Sequence, residues 1–125
     1  MFGIKRSNAD KWFSDYIRLK AGYQCERCKK IYEKGDNRLH NSHFHSRRNR
    51  SVRFDPENVA ALCFGCHRAF TENPHEHSEF FVKRLGREKY DALARRARIP
   101  QKVDESLIVL WCKAEIAKIK AVVLK

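Results

Sequence analysis

Four of the five cysteines fall into two pairs of identical spacing, Cys25-x-x-Cys28 and Cys63-x-x-Cys66. A two-residue spacer lets a tight turn aim both thiolates at one ion, and two such turns complete a tetrahedral shell of sulfur. With every position filled by protein the ion is structural, and its binding free energy becomes part of the folding free energy. The expected occupant is Zn²⁺. A redox dithiol is the alternative for a single pair, and the duplication weighs against it. The remaining cysteine, Cys112, stands alone in an apolar stretch and reads as a buried thiol.

Between the pairs lie His40, His43 and His45 in one segment and Asn58 after a loop, and His67 follows directly on Cys66. Closing both pairs on one ion staples the histidine segment to the residues after Cys66, so these side chains are forced into one neighbourhood. Imidazole, with a pKa of about 6.5, accepts a proton at neutral pH and is also the commonest metal ligand. A base of that kind beside a divalent cation is what in-line hydrolysis of a phosphodiester requires.

The pieces Ser42-His43-Phe44-His45-Ser46-Arg47, Asp55-Pro56-Glu57-Asn58-Val59 and Leu62-Cys63-Phe64-Gly65-Cys66-His67 resemble the signature of the HNH, or ββα-metal, endonucleases. The span from about Trp12 to Leu93 is similar to the zinc-containing phage recombination proteins of the NinG kind. The Ser-His-Phe-His order also resembles the junction-resolving enzymes of the endonuclease VII type. The resemblance implies an α+β fold with a ββα-metal (His-Me finger) core, four-cysteine zinc knuckles, and flanking N-terminal and C-terminal helices. It implies that His43 is the general base, that Asn58 is a metal ligand or orients the strand backbone, that His67 ligates a catalytic divalent cation, and that His45 touches the scissile phosphate. Where the family has an acidic or imidazole ligand just before the base, this chain has Ser42. A cation held by Ser42, Asn58 and His67 has no carboxylate, with Asp55 or His40 as alternative donors. Mn²⁺ or Ni²⁺, which accept imidazole, are then expected to serve better than Mg²⁺.

Arg47, Arg48, Arg50 and Arg53 lie in the loop between the base and Asn58, where guanidinium groups suit phosphate oxygens. The whole chain carries 27 Lys and Arg against 15 Asp and Glu, a net charge of +12 that points to a polyanionic partner, here DNA. No helix start groups Asn, Gln and Arg as a base-reading helix does, so backbone and shape recognition is expected, with little sequence specificity. No run of about 18 apolar residues is present to span a membrane. The opening Met1-Phe2-Gly3-Ile4-Lys5-Arg6 lacks the apolar core of a signal peptide, so the expected location is the cytoplasm of a bacterial or phage-infected cell. These features favour a DNA endonuclease in phage or mobile-element recombination or repair. The contrasting class is a non-catalytic zinc-ribbon module that binds nucleic acid.

The elements that hold these residues are legible in the periodicity. Trp12, Phe13, Tyr16 and Ile17 recur at helical spacing over Asn8 to Ala21, with Ser7 or Asn8 as the cap and Gly22 as the stop. Gly35-Asp36-Asn37 marks a turn before a strand over Arg38 to Phe44; Ser46 to Pro56 reads as an exposed loop, and Val59 to Leu62 as a short apolar strand. A helix starting over His67 to Phe70 ends near Asn73-Pro74, Asn73 caps the next helix, and Gly86 divides that one from another. From Asp104 onward Leu107, Ile108, Trp111, Cys112, Ile116 and Ile119 form a wide apolar face. Residues 1–100 are thus expected to form the endonuclease domain with its leading helix. Residues 101–125 are expected to form an amphipathic helix that packs on that domain or makes the seam of a homodimer.

Overall fold

The Ser7 hydroxyl accepts from the Asp10 N–H at 3.2 Å while the Asp10 carboxylate accepts from the Ser7 N–H at 2.8 Å, a reciprocal cap that starts helix α1, Asn8–Lys20. Of the two capping candidates, Ser7 is the one used. Ala9, Phe13, Tyr16 and Ile17 bury one face of α1, and Gly22 at φ +66° turns the chain out of it. In this computed structural model the described residues are 5–123. Met1–Ile4, most of the stretch read for a signal peptide, and residues 124–125 lie outside them.

Strands β1, Leu39–His43, and β2, Val59–Cys63, pair antiparallel as a two-stranded sheet, with Leu39 opposite Cys63 and His43 opposite Val59. The continuous apolar run Val59-Ala60-Ala61-Leu62 is buried throughout, as a strand covered on both faces requires. The ladder closes where the Phe44 N–H donates to the Asn58 carbonyl at 2.8 Å, just beyond the 3-10 turn Pro56–Asn58.

The connecting loop is less free than its composition suggests. Val52 and Phe54 are buried, the Asn49 amide donates to the Ala97 carbonyl at 2.7 Å, and the Ser51 hydroxyl donates to the Ile99 carbonyl at 2.5 Å. The loop is tied at mid-length to the end of a later helix.

Helix α2, Phe64–Glu72, starts before His67 and carries Cys66 in its first turn. Asn73 does not cap the following helix through its side chain: its amide donates back to the Ala69 carbonyl at 3.0 Å and closes α2 instead. Pro74 opens α3, Pro74–Leu85, and Gly86 at φ +83° separates it from α4, Arg87–Arg98. Helix α5, Glu105–Val123, returns to lie on α1, with Trp111 edge-on to Tyr16 at 5.1 Å and Cys112 fully buried. Leu107 and Leu110 face outward.

Among the described residues the result is an α+β fold of five α-helices and one two-stranded sheet, in which α1, both strands, α2, α3 and α5 share a core built on Phe13, Leu39, Leu62, Phe70, Phe81 and Cys112. No helix among the described residues is long and apolar enough to cross a membrane.

Candidate functional site

The first cysteine pair sits in a knuckle whose Cys25 N–H donates to the Lys30 carbonyl and whose Lys29 N–H donates to the Cys25 carbonyl, both at 2.9 Å. Lys29 takes the left-handed conformation at φ +70° to close it. The second pair straddles the end of β2 and the first turn of α2. Backbone and side chain of Glu26 bring the two together: its N–H donates to the Ala61 carbonyl at 2.8 Å and its carboxylate accepts from the Ala61 N–H at 2.7 Å.

The sulfurs of Cys25, Cys28, Cys63 and Cys66 all lie within 4.8 Å of one another, and those of Cys28 and Cys63 are 3.8 Å apart. A tetrahedron with metal–sulfur bonds of about 2.3 Å has edges of about 3.8 Å, so the donor set fits a structural zinc ion. Burial alone would raise the Cys25 thiol, but N–H groups of the knuckle residues Cys28, Cys63 and Arg27 bring it down to about 7. Burial pushes Cys66 up to about 12, against the Arg27 guanidinium 3.5 Å from its sulfur.

Along the sheet from the cysteines, a cleft of about 250 Å³ opens between α1, β1 and α2, with His40, His43 and His67 in its lining. The His43 Nε2 lies 2.8 Å from the Arg53 carbonyl. A carbonyl only accepts, so Nε2 carries the proton and the neutral ring keeps its Nδ1 lone pair unprotonated. Burial, with Arg47 and Arg53 nearby, holds His43 below its ordinary pKa, the Arg53 carbonyl opposing. His67 is also lowered, by burial and by His40.

His40 and Ser42, two residues apart on one face of β1, both meet His67: the His40 ring is 5.6 Å from it and the Ser42 hydroxyl is 2.8 Å from its Nδ1. Arg6, Arg18 and Arg47 complete the cationic wall of the cleft. Arg18 is steered by its bond to the Leu39 carbonyl at 2.8 Å, and Arg6 by its bond to the Ser14 hydroxyl at 3.0 Å.

Several residues singled out in the sequence sit elsewhere. Asn58 is fully buried; its Oδ1 accepts from the His45 N–H at 2.8 Å, and its Nδ2 donates to the carbonyls of His45 at 2.9 Å and Val52 at 3.0 Å. Its amide therefore ties the start of the basic loop to Val52 in its second half, and no face of it is open to a cation. Ser42, 1 % exposed, orients His67 and does not face the cleft as a ligand.

The His45 ring lies against Phe44 and is not part of the cleft lining. Arg53 is buried in an ion pair with Asp10, which also accepts from Arg47 at 3.1 Å, so Arg53 is not available to an outside anion. Those bonds and the Ser7 N–H hold the Asp10 carboxyl far below its usual range in spite of burial. Arg48 and Arg50 are exposed on the loop. Arg6 and Arg18 were not marked by sequence pattern; the signal available was Ser14 one helical turn before Arg18, which lets α1 present both toward the histidine strand.

Comparison with protein-family models, curated proteins and solved structures found no match, so the functional reading rests on this geometry.

Proposed function

We propose that this protein is a metal-dependent DNA endonuclease with an HNH-type ββα-metal core, β1, β2 and α2, that nicks DNA by phosphodiester hydrolysis in phage or mobile-element recombination or in repair. The observation that carries the reading is the His43 Nε2–H bond to the Arg53 carbonyl, which leaves Nδ1 as a fixed proton acceptor in a cationic cleft shared with His67. A base held in one tautomer by a backbone carbonyl, with a lowered pKa, is unprotonated at neutral pH.

In this mechanism His43 Nδ1 takes a proton from a water aligned on the phosphorus. Arg6, Arg18 and Arg47 hold the phosphate oxygens and balance the charge that develops on them. Asn58 keeps the Arg53 carbonyl in place by fixing the loop on which it sits. Zinc at the four cysteines holds β2 and α2 to the first knuckle and takes no part in the chemistry.

A catalytic divalent cation would be held by His67 and His40, whose rings lie together, with water and phosphate oxygens filling the rest of its shell. It would supply positive charge for the leaving oxygen. His67 Nε2 is free to ligate when its Nδ1–H donates to Ser42 Oγ, the arrangement that the 2.8 Å contact provides. Among the described residues the four cysteines are the only group of three or more His, Cys, Asp or Glu side chains arranged for a metal. A second cation would therefore bind weakly without DNA, and the imidazole pair would favour Mn²⁺ or Ni²⁺ over Mg²⁺.

A plasmid-nicking assay with Mn²⁺, Ni²⁺, Mg²⁺ or chelator tests the proposal. Nicking that requires added metal and His43 is expected. DNA binding with no nicking under any metal would reduce the protein to a zinc-stabilised nucleic-acid-binding module.

A further inference from the structure

Arg6 and Arg18 close one side of the histidine cleft, and on their other side a second cavity of about 350 Å³ opens between α1, the turn at residues 34–37 and α5. Trp12, Leu19, Tyr23 and Ile116 give it apolar and aromatic surfaces, and Lys34 and Lys120 stand on its rim. Its two carboxylates are engaged, Asp36 with Arg38 at 2.7 Å and Asp15 with Lys11 at 3.5 Å and Arg18 at 3.8 Å. The rim is therefore cationic over an apolar floor.

Tyr23 holds φ +56°, a region that aromatic residues rarely adopt, and it is fixed there by bonds from its N–H to the Arg18 carbonyl at 2.9 Å and from the Tyr32 N–H to its own carbonyl at 2.8 Å. The ring is a set wall of the cavity rather than part of a loose loop.

A flat, neutral ring joined to an anionic linkage matches this combination of floor and rim, and that is the chemistry of a nucleotide. The size lies at the small end of ligand pockets, which start at about 300 Å³, and suits one nucleotide rather than a base pair. Arg6 and Arg18 belong to both cavities, so the histidine cleft and the second cavity share one cationic wall.

We propose that this cavity takes up one unpaired nucleotide of a DNA strand, so that the preferred substrate carries an unstacked nucleotide beside the bond to be cut. The position of that bond rests on the endonuclease reading, whereas the binding preference does not. A paired, stacked base cannot enter without leaving the helix, and that cost falls away where it is already unpaired.

The test uses the full zinc-bound chain without added catalytic metal and three duplexes: fully paired, with one unpaired 2-aminopurine, and with an abasic residue at that position. The unpaired 2-aminopurine duplex should bind roughly 10- to 100-fold tighter than the other two, the gain expected of one base–aromatic stack, with a change in probe emission. Leu19→Trp, which fills the cavity, should remove that preference while keeping the affinity for paired duplex. Lys34→Glu combined with Lys120→Glu on the rim should weaken it. Equal affinity for the three duplexes would overturn the proposal, as would a preference that survives Leu19→Trp. Competition by free deoxyadenosine monophosphate as effective as the strand itself would also overturn it. A preference without nicking under any divalent cation would defeat the endonuclease reading alone, and nicking without the preference would defeat this inference alone.

Discussion

A carbonyl oxygen can only accept, and that asymmetry decides which nitrogen of His43 remains for chemistry. His43→Ala should lower nicking by about 10²–10⁴-fold while leaving DNA affinity nearly unchanged, because a general base contributes mainly in the transition state. Its pKa is lowered by burial and by Arg47 and Arg53, so the free base persists to lower pH than in an ordinary histidine. The acid limb of kcat/KM should therefore fall below pH 6.5, and Arg47→Ala, which removes one of the opposing charges, should move it upward; a limb above 6.5 would remove His43 as the base. Ser42 acts through His67. Ser42→Ala should cost about 10- to 100-fold in affinity for the catalytic cation, the usual effect of losing the partner that fixes a ligand ring. A metal titration of nicking checks this, and an unchanged midpoint would release Ser42 from that role. Sequence order brought His43 and His67 to attention and left Asn58 two roles, of which its bonds to the His45 and Val52 backbone match the orienting one, but it did not show which way Ser42 points or that it supports His67. Those roles depend on which way a side chain points from a strand end or a loop, and spacing alone does not carry that information.

At the scale of elements, an ion held by the four cysteines would replace packing that a two-stranded sheet cannot supply. A lone hairpin is marginal in water, and here it is fastened at one end by the cysteines and at the other by the Asn58 amide. Cys25→Ser or Cys66→Ser, or a strong chelator, should unfold the domain, since binding of the ion is part of the folding free energy. Circular dichroism melting with metal analysis checks this; a variant with wild-type melting and one tight zinc would remove the four-cysteine site. The signals that marked these elements in the sequence are local ones. The Gly86 break and the paired cysteines each act within a few residues and are found where their spacing placed them, and of the two caps offered for α1 Ser7 is the one used. The start of α2 was less legible, because Cys63-Phe64-Gly65-Cys66 serves at once as a knuckle and as a first helical turn. Asn73 is ambiguous for a similar reason: one amide stands between two helix ends, and the bond to the Ala69 carbonyl wins. The basic loop read as exposed because its composition is polar, yet its ties to Ala97 and Ile99 join residues 48 apart in sequence.

For the whole molecule, a net charge of +12 says that a polyanion is attracted but not which arginines meet it. Much of the guanidinium charge is held internally: Arg53 by Asp10, Arg84 by Glu26 at 2.9 Å, and Arg96 by Asp55 at 2.8 Å and Glu57 at 2.9 Å. Arg48 and Arg50 lie exposed on the loop that leads out of the cleft. Each phosphate contact contributes about 0.9 to the slope of log affinity against log salt, since counterions are released as the contact forms. Arg48→Ala combined with Arg50→Ala should therefore weaken DNA binding and flatten that slope by about 1.8. Arg53→Ala should do the opposite. It removes the buried partner of Asp10 and leaves that carboxylate to Arg47 and the Ser7 N–H, a loss of about 1.5–3 kcal/mol of stability, and keeps the salt slope of whatever protein remains folded. Titrations at several salt concentrations, paired with thermal melts of both variants, separate the two roles. If the double variant keeps the full slope, the DNA path leaves the cleft by another route, past Arg6 and Arg18 toward Lys34 and Lys120 alone.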